Sequence, residues 1–139
     1  MAGVLFFIEN TQFKLINPRK TSFWINRICQ SEKAELESLN YIFCSDAILA
    51  GLNKKYLKHS TLTDILTFDY SDSRRINGEI YISITRVKEN AKTFGQSFDS
   101  ELRRVIAHGL LHLLGYKDKT RSEKDEMRRK EEACLSLWK

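Results

Sequence analysis

The chain has 139 residues, of which 42% are hydrophobic and 29% charged, and its formal net charge is +5. This length and composition are typical of one folded domain over residues 1–139 and exclude a disordered, collagen-like or linker-rich chain. No apolar run approaches the roughly 20 residues of a membrane span, and the short opening run VLFFI lacks the basic flank of a secretory signal, so we expect a cytoplasmic protein with no membrane partner.

Strand-like segments dominate the first two thirds of the sequence. They occur at residues 4–8, around 39–44, at 65–70 and at 79–84, where isoleucines alternate with polar residues. Two helices are predicted among them, one that begins at Pro18 and a shorter one that Asp46 can cap. The buried stripe of the first helix is expected to consist of Phe23, Trp24, Ile25 and Ile28.

The last third of the sequence has helical periodicity. Helices are predicted over about residues 85–94, 99–114 and 121–135, and Thr120 with Glu123 has the capping-box spacing for the last one. Strands come mostly first and helices mostly last, so the predicted fold class is α+β, a small mixed sheet covered by helices.

The three cysteines do not form a recognisable site. Cys29, Cys44 and Cys134 are far apart, odd in number and include no C-x-x-C pair. Buried or idle thiols in a reducing compartment are therefore favoured over disulfides or a Cys-rich zinc site.

The segment HGLLHLLGYKD, residues 108–118, carries the strongest chemical signal. His108 and His112 are four residues apart, which is one helical turn plus about 40°, so both rings project from one face and can share a metal ion. Gly115 can end the helix in a left-handed turn, and Asp118 follows it closely enough to return to the metal. Three ligands leave one position open for a water molecule, as in catalytic sites, so this metal-bound water held by His108, His112 and Asp118 is the predicted catalytic group.

The histidine pair in this segment has two other interpretations. A histidine pair at this spacing is often a surface or core feature, but Leu102, Ile106, Leu110, Leu113 and Leu114 already complete the apolar stripe on the opposite face. A metalloprotease motif would place its general base, a glutamate, where this chain has Gly109. Glu101 and Arg104 lie on the histidine face one to two turns earlier and either could orient a ligand, although an exposed salt bridge explains them equally well.

The same segment resembles the signature of the YbeY-type endoribonucleases, the bacterial rRNA maturation factors, whose pattern is H-G-x-L-H-L-x-G-Y-D-H. The matching residues are His108, Gly109, Leu111, His112, Leu113, Gly115 and Tyr116. Upstream, residues 52–68 (LNKKYLKHSTLTDILTF) resemble the family's L-N-x-x-Y-R-x-x-x-x-x-T-D/N-V-L-S-F, and residues 78–83 (GEIYIS) resemble its G-D-I-x-I-S strand.

The resemblance implies a four-stranded α+β fold with a metal at one end of a cleft. The implied function is a metal-dependent endoribonuclease that cleaves single-stranded RNA, in the maturation of the 16S rRNA 3′ end and in ribosome quality control. Its implied cofactor is one zinc ion per chain, with Mn, Fe or Ni as other possibilities, and its implied partners are single-stranded rRNA and the small ribosomal subunit or associated proteins.

The sequence departs from the family pattern at two positions. Asp118 stands where the family has its third histidine, and its negative charge should weaken the pull of the metal on bound water and favour harder ions. Leu57 stands where the family usually has an arginine that is thought to help with phosphate or catalysis; Lys58, His59 and Arg104 are candidate substitutes.

The basic residues suggest how RNA could be held. Lys54, Lys55, Lys58, Arg74 and Arg75 fall in loops or at element ends near the expected cleft, and Tyr116 could stack on a base or pack the turn. A solvated basic surface is an equally good explanation of each cation. Two alternative functions stay open: a metal-dependent hydrolase of another substrate, and a non-catalytic ribosome-associated module that binds RNA.

Overall fold

Four strands pair into one sheet in the order β1-β2-β4-β3. They are β1 (Gly3–Glu9), β2 (Glu35–Cys44), β3 (Ile65–Asp69) and β4 (Arg75–Ser83). The first three strands in that order run parallel, whereas β3 pairs antiparallel with β4. The structure is a computed structural model that describes residues 3–57 and 64–139.

The described residues also form five α-helices and one π-helical turn, of which the first two helices and the turn lie between strands and the other three helices follow β4. They are α1 (Pro18–Ser31), α2 (Asp46–Leu52), the π-helical turn (Asn53–Leu57), α3 (Ile84–Thr93), α4 (Phe98–Leu113) and α5 (Arg121–Ser136). The predicted α+β class with a four-stranded mixed sheet is confirmed. Pro18 opens α1, and Thr120 and Glu123 form the predicted capping box of α5.

Three local predictions were wrong. Ser45, not Asp46, caps α2, because the Ser45 hydroxyl accepts the backbone N–H of Ile48. Phe23 is exposed, since α1 turns Trp24, Ile25 and Ile28 toward the core instead. Strand β4 begins four residues earlier than predicted and ends at Ser83, where the Ser83 side chain caps α3.

The main core lies between the sheet and α4. Helix α4 approaches β3 and β4 so closely that a Cβ atom added at Gly109 would lie 2.8 Å from Ile65 and 2.9 Å from Ile80. The Tyr41 hydroxyl, fully buried, donates to the carbonyl of Ile106 at 2.9 Å and ties β2 to the same helix. These contacts hold the histidine-bearing part of α4 against the edge strand β3.

The remaining apolar surface lies on the opposite face of the sheet. Ile42, Cys44, Leu49 and Leu66 form a second, smaller cluster there. Among the described residues, no helix is both long and apolar enough to cross a membrane.

Candidate metal centre

His108 and His112 project from the last two turns of α4 and meet a carboxylate. Their Nε2 atoms are 3.0 Å apart, and an Asp118 carboxylate oxygen, Oδ2, lies 3.1 Å from Nε2 of His108 and 3.3 Å from Nε2 of His112. All three side chains are partly buried, and their ligand atoms lie within 4.8 Å of one another. The three residues predicted from the sequence are thus brought together and could hold a metal ion.

The turn that returns Asp118 to the helix is built by backbone hydrogen bonds. The N–H of Gly115 donates to the carbonyl of His112 and the N–H of Tyr116 to that of Leu111, both at 3.0 Å, which is the hydrogen-bond pattern of a Schellman motif. Gly115 has φ +104°, in the region that favours glycine. The predicted reversal at Gly115 is therefore present, and it positions the third candidate donor, the Asp118 carboxylate oxygen.

Each histidine ring is oriented through its Nδ1 atom. Nδ1 of His112 lies 3.0 Å from the carbonyl oxygen of Tyr116, and Nδ1 of His108 lies 2.5 Å from Oε2 of Glu131. A carbonyl or an ionised carboxylate only accepts, so both Nδ1 atoms carry a hydrogen, and in the neutral rings both Nε2 atoms present lone pairs. Two lone pairs 3.0 Å apart beside a carboxylate oxygen repel one another unless a cation or proton lies among them, so this donor set fits a metal ion.

A buried ionic chain lies behind His108. Glu131, whose side chain is 7% exposed, also accepts a hydrogen bond of 3.4 Å from Arg104. Arg104 donates to both carboxylate oxygens of Glu101, at 2.6 and 3.0 Å, and the Glu101 side chain is only 2% exposed. The Glu101 hydrogen bond raises the pKa of Arg104, against the opposing effect of burial. The guanidinium stays charged and neutralises one of two buried carboxylates.

The charged groups around His108 change the pKa of its ring. Burial lowers the pKa of His108, but the hydrogen bond and charge of Glu131, together with the charge of Asp118, outweigh it, so the net pKa is raised. Glu131 therefore makes the His108 ring more basic, and a more basic imidazole is a better ligand.

A cavity opens directly onto the three candidate ligands. Its volume is about 290 Å³, and its other wall is the beginning of β3, residues 64–67. The Asp64 carboxylate in that wall accepts a hydrogen bond of 3.2 Å from the Asn90 amide on α3. A substrate can therefore reach the candidate ligands from the edge-strand side.

The other residues predicted for the site lie in different surroundings, and some lie outside the described residues. Glu101 is linked to His108 through Arg104 and Glu131, whereas the charge of Arg104 also acts directly to lower the pKa of His108. Glu101 is buried, so the alternative of an exposed salt bridge is wrong for it. Lys58 and His59 lie outside the described residues. Lys54 and Lys55 are exposed on the π-helical turn.

Arg74 and Arg75, which were predicted to lie near the cleft and hold phosphate, contact other residues of the same chain. Arg74 donates to the backbone carbonyls of Glu32 and Lys33, and Arg75 lies 3.8 Å from both Glu35 and Glu37. Arg74 thus contacts the segment before β2, whereas Arg75 faces two glutamates of β2 itself, and the sequence pattern predicted neither contact.

Tyr116 packs the turn. Its ring contacts the main core, its hydroxyl donates to Glu32 at 2.7 Å, and its carbonyl oxygen holds His112. Lys130 lies 5.2 Å from the centre of the ring and also bonds to Glu32. These contacts favour the packing interpretation of Tyr116 over a base-stacking role.

Glu131 is the residue that the sequence analysis missed. It lies 23 residues after His108, on another helix, so no local motif contains both. The available signal was its position in the buried stripe of α5, four residues after Met127 and three before Cys134. A carboxylate in such a stripe needs a buried partner.

The packing of α4 against the sheet explains why residue 109 is a glycine. This position faces the sheet, where a Cβ atom would come within 3 Å of Ile65 and Ile80. A glutamate of the metalloprotease type cannot fit there without moving the helix, so the chain lacks a protease-type base at this position.

The chain is similar to known proteins over most of its length. A family model described as Endoribonuclease YbeY matches residues 7–139. The chain is 52% identical over 131 residues to the Endoribonuclease YbeY of Amoebophilus asiaticus, covering 94% of this chain and 89% of that protein. It is 50% identical over 137 residues to that of Cytophaga hutchinsonii, covering 98% and 96%. The solution structure of TM1509 from Thermotoga maritima is similar in fold, with a TM-score of 0.61, 25% sequence identity and coverage of 96% of this chain and 91% of that one.

Proposed function

The chain belongs to the endoribonuclease YbeY family, and from this membership we propose that it cleaves single-stranded RNA with a metal ion held by His108, His112 and Asp118. The observation that carries the metal dependence is the convergence of two Nε2 lone pairs and a carboxylate oxygen at the mouth of a cavity. The cofactor we propose is one zinc ion per chain, with Mn, Fe or Ni as substitutes that accept the same nitrogen and oxygen donors.

The ion and the residues around it have separate roles in this proposal. When bound, an ion of this type supplies Lewis acidity, which polarises a phosphoryl oxygen and activates water near neutral pH. The two imidazoles and Asp118 would hold that ion at the mouth of the cavity. Glu131 fixes the His108 ring and Tyr116 fixes the His112 ring, so neither ring has to reorganise when substrate arrives.

Glu101 and Arg104 have a supporting role in this proposal. Arg104 neutralises part of the charge on Glu131 and holds its carboxylate in place, and Glu101 holds Arg104. Phosphate contact by Arg104 is less well supported, because its side chain is 33% exposed and already bonded to two carboxylates. Lys58 stays a candidate phosphate contact on the strength of the sequence alone.

The biological setting that we propose follows the family resemblance. The chain acts as one endoribonuclease domain over residues 1–139, in the cytoplasm, on single-stranded rRNA at the 3′ end of 16S rRNA and in ribosome quality control. The small ribosomal subunit or its associated proteins are the proposed partners.

A cleavage assay with elemental analysis tests the function. Purified protein should contain metal and cut an unstructured RNA oligonucleotide, and His108→Ala should lose both properties while keeping the circular dichroism spectrum of the folded chain. RNA binding without cleavage in the metal-loaded protein would support the binding module instead. Cleavage of peptides but not RNA would support another hydrolase.

Salt dependence tests the RNA contacts proposed for the π-helical turn. Lys54 and Lys55 are exposed on the π-helical turn and form no ion pair with a carboxylate of the described residues. Lys55→Glu should weaken RNA binding and flatten the dependence of binding on salt, by about 0.7 in log–log slope for each phosphate of a single strand that is no longer neutralised. Lys88→Glu, an exposed change of the same charge on α3, is the control and should do neither.

A further inference from the structure

A second groove lies on another part of the molecule. It has a volume of about 370 Å³ and is lined by the segment before α1, by α1, by the first half of α4 and by Trp138. It shares no lining residue with the cavity at the candidate metal centre. Its size falls within the roughly 300–1,000 Å³ of small-ligand sites, so it can accept a ligand group of its own.

Two cations converge on one aromatic ring in this groove. Nζ of Lys20 lies 4.5 Å from the centre of the Trp138 ring, and the guanidinium carbon of Arg103 lies 4.9 Å from it. Within the described parts of the chain, neither cation forms an ion pair with a carboxylate, in contrast to Arg86, Arg104 and Lys130. Lys20 and Arg103 thus both lie against the Trp138 ring without an ion-pair partner among the described residues, and the acidic side chain in the lining of the groove is Asp99.

The aromatic wall that holds these cations is itself anchored. Trp138 packs edge-on against Trp24 at 5.3 Å, and Trp24 is 2% exposed and donates from Nε1 to the carbonyl of Cys134 at 2.8 Å. On the other side of the groove, Phe13 and Phe98 pack edge-to-face at 6.0 Å. The groove thus has a positive part and a fixed aromatic part side by side.

We propose that this Trp138 groove is a second binding site for single-stranded RNA, separate from the metal centre. Phosphates of the strand bind to Lys20 and to Arg103, and a nucleoside of the strand lies against the wall of Phe13 and Phe98. Single strands offer both kinds of group, because their phosphates are charged and their bases are unpaired and can contact aromatic surfaces. An acidic peptide would match the cations but not the aromatic wall. This inference rests on RNA being the substrate, and it implies that strands long enough to reach both sites bind more tightly.

Binding of a fluorescein-labelled, 2′-O-methylated single-stranded oligonucleotide, measured by anisotropy on the full chain, tests the groove. Lys20→Gln and Arg103→Gln should each weaken binding several-fold and reduce the log–log salt slope by about 0.7, the value for one phosphate that the protein no longer neutralises. The matched control is Arg19→Gln, which removes the same charge from the neighbouring exposed position of α1 but not from the groove, and should leave both quantities unchanged.

A competition experiment separates RNA from other anions. Inorganic polyphosphate has the charge of RNA but no bases, so it should displace the oligonucleotide poorly at equal phosphate concentration. Equal displacement, or equal effects of Arg19→Gln and Lys20→Gln, would overturn the groove as an RNA site and leave only general attraction of anions.

The groove and the catalytic proposal fail in different ways. If Lys20→Gln and Arg103→Gln bind RNA as tightly as the wild type and still cleave it, the proposed RNA site in the groove is refuted. The proposed nuclease activity is not affected by that result. Groove-dependent binding without any cleavage by metal-loaded protein would refute the nuclease and leave the groove intact.

Discussion

Single atoms of the two histidine rings decide what the candidate centre can bind. Each Nδ1 faces an acceptor, the Tyr116 carbonyl or the Glu131 carboxylate, so each Nε2 presents a lone pair toward Asp118. The two acceptors differ in kind, because one is a neutral backbone group and the other a buried charge. The buried charge raises the pKa of His108, so the basicity of this ring depends on a residue of another helix.

Substitution of Asp118 tests the third ligand. Asp118→Ala should lose metal affinity, because two neutral imidazoles hold a divalent ion poorly. Asp118→His should retain metal and shift the rising limb of the pH–rate profile to lower pH, because a neutral third ligand leaves the ion more electron-withdrawing. Metal content and pH–rate curves of both variants provide the measurement. A full equivalent of tightly bound metal in Asp118→Ala would falsify the ligand assignment even if the chain remained an active nuclease.

Substitution of Glu131 tests the orientation of His108. Glu131→Gln keeps the shape but removes the charge behind the ring, and should lower metal affinity by about 10- to 100-fold. Competition with a chromophoric chelator measures this change in affinity. Glu126→Gln changes an exposed glutamate on the same helix and is the matched control. Equal affinity in the two variants would show that Glu131 is only a packing residue.

At the scale of the secondary-structure elements, the site depends on how α4 meets the sheet and how it ends. Gly109 allows the helix to lie against β3 and β4, and Gly115 allows the chain to reverse after it. The first glycine is needed for a close approach and the second for its positive φ. Together they place two helical ligands and one ligand from the turn on the same side of the helix.

Two glycine-to-alanine changes separate packing from helix propensity. Gly109→Ala should destabilise the chain by roughly 1–2 kcal/mol, because overpacking against Ile65 and Ile80 exceeds the gain in propensity. Gly51→Ala, in an exposed position of α2 with no atom near the new methyl group, should stabilise it by roughly 0.5–1 kcal/mol. Urea unfolding of both variants gives the two free energies. A stabilising Gly109→Ala would mean that the helix can move away from the sheet at little cost.

At the scale of the whole molecule, long-range contacts join the first and last elements around the sheet. Trp24 of α1 donates to the Cys134 carbonyl of α5, and Trp138 packs on Trp24. The three cysteines lie inside this structure, free and buried, as their spacing predicted. Burial raises the pKa of Cys29, Cys44 and Cys134 to about 12.

Thiol labelling tests this burial. At mildly alkaline pH the folded chain should react with a disulfide reagent only at its rate of unfolding, because almost no thiolate is present, and urea should expose all three thiols together. A thiol pKa raised by folding stabilises the protein below the ordinary thiol pKa of about 8.5, and that stability is lost as pH rises toward 12. Rapid labelling of one cysteine without denaturant would show that part of the core opens separately.

Much of the centre could be predicted from the sequence because its parts lie within one segment of eleven residues, 108–118. Helical periodicity alone places His108 and His112 on one face, and the conformational freedom of glycine alone permits the return of Asp118. The α+β class and the capping box of α5 follow from equally local patterns. Element ends were less well predicted, because β4 is extended by pairing with β2, a partner far away in the sequence.

The features that no local pattern contains were decided by packing. Glu131 faces His108 because α5 packs against α4. Arg74 and Arg75 contact residues in and before β2. Gly109 meets the sheet because α4 packs closely against it. The Trp138 groove likewise joins residues from both ends of the chain. Side-chain chemistry and spacing can predict which groups are able to bind, but burial and charge pairing depend on contacts between distant residues, and these exist only in the folded chain.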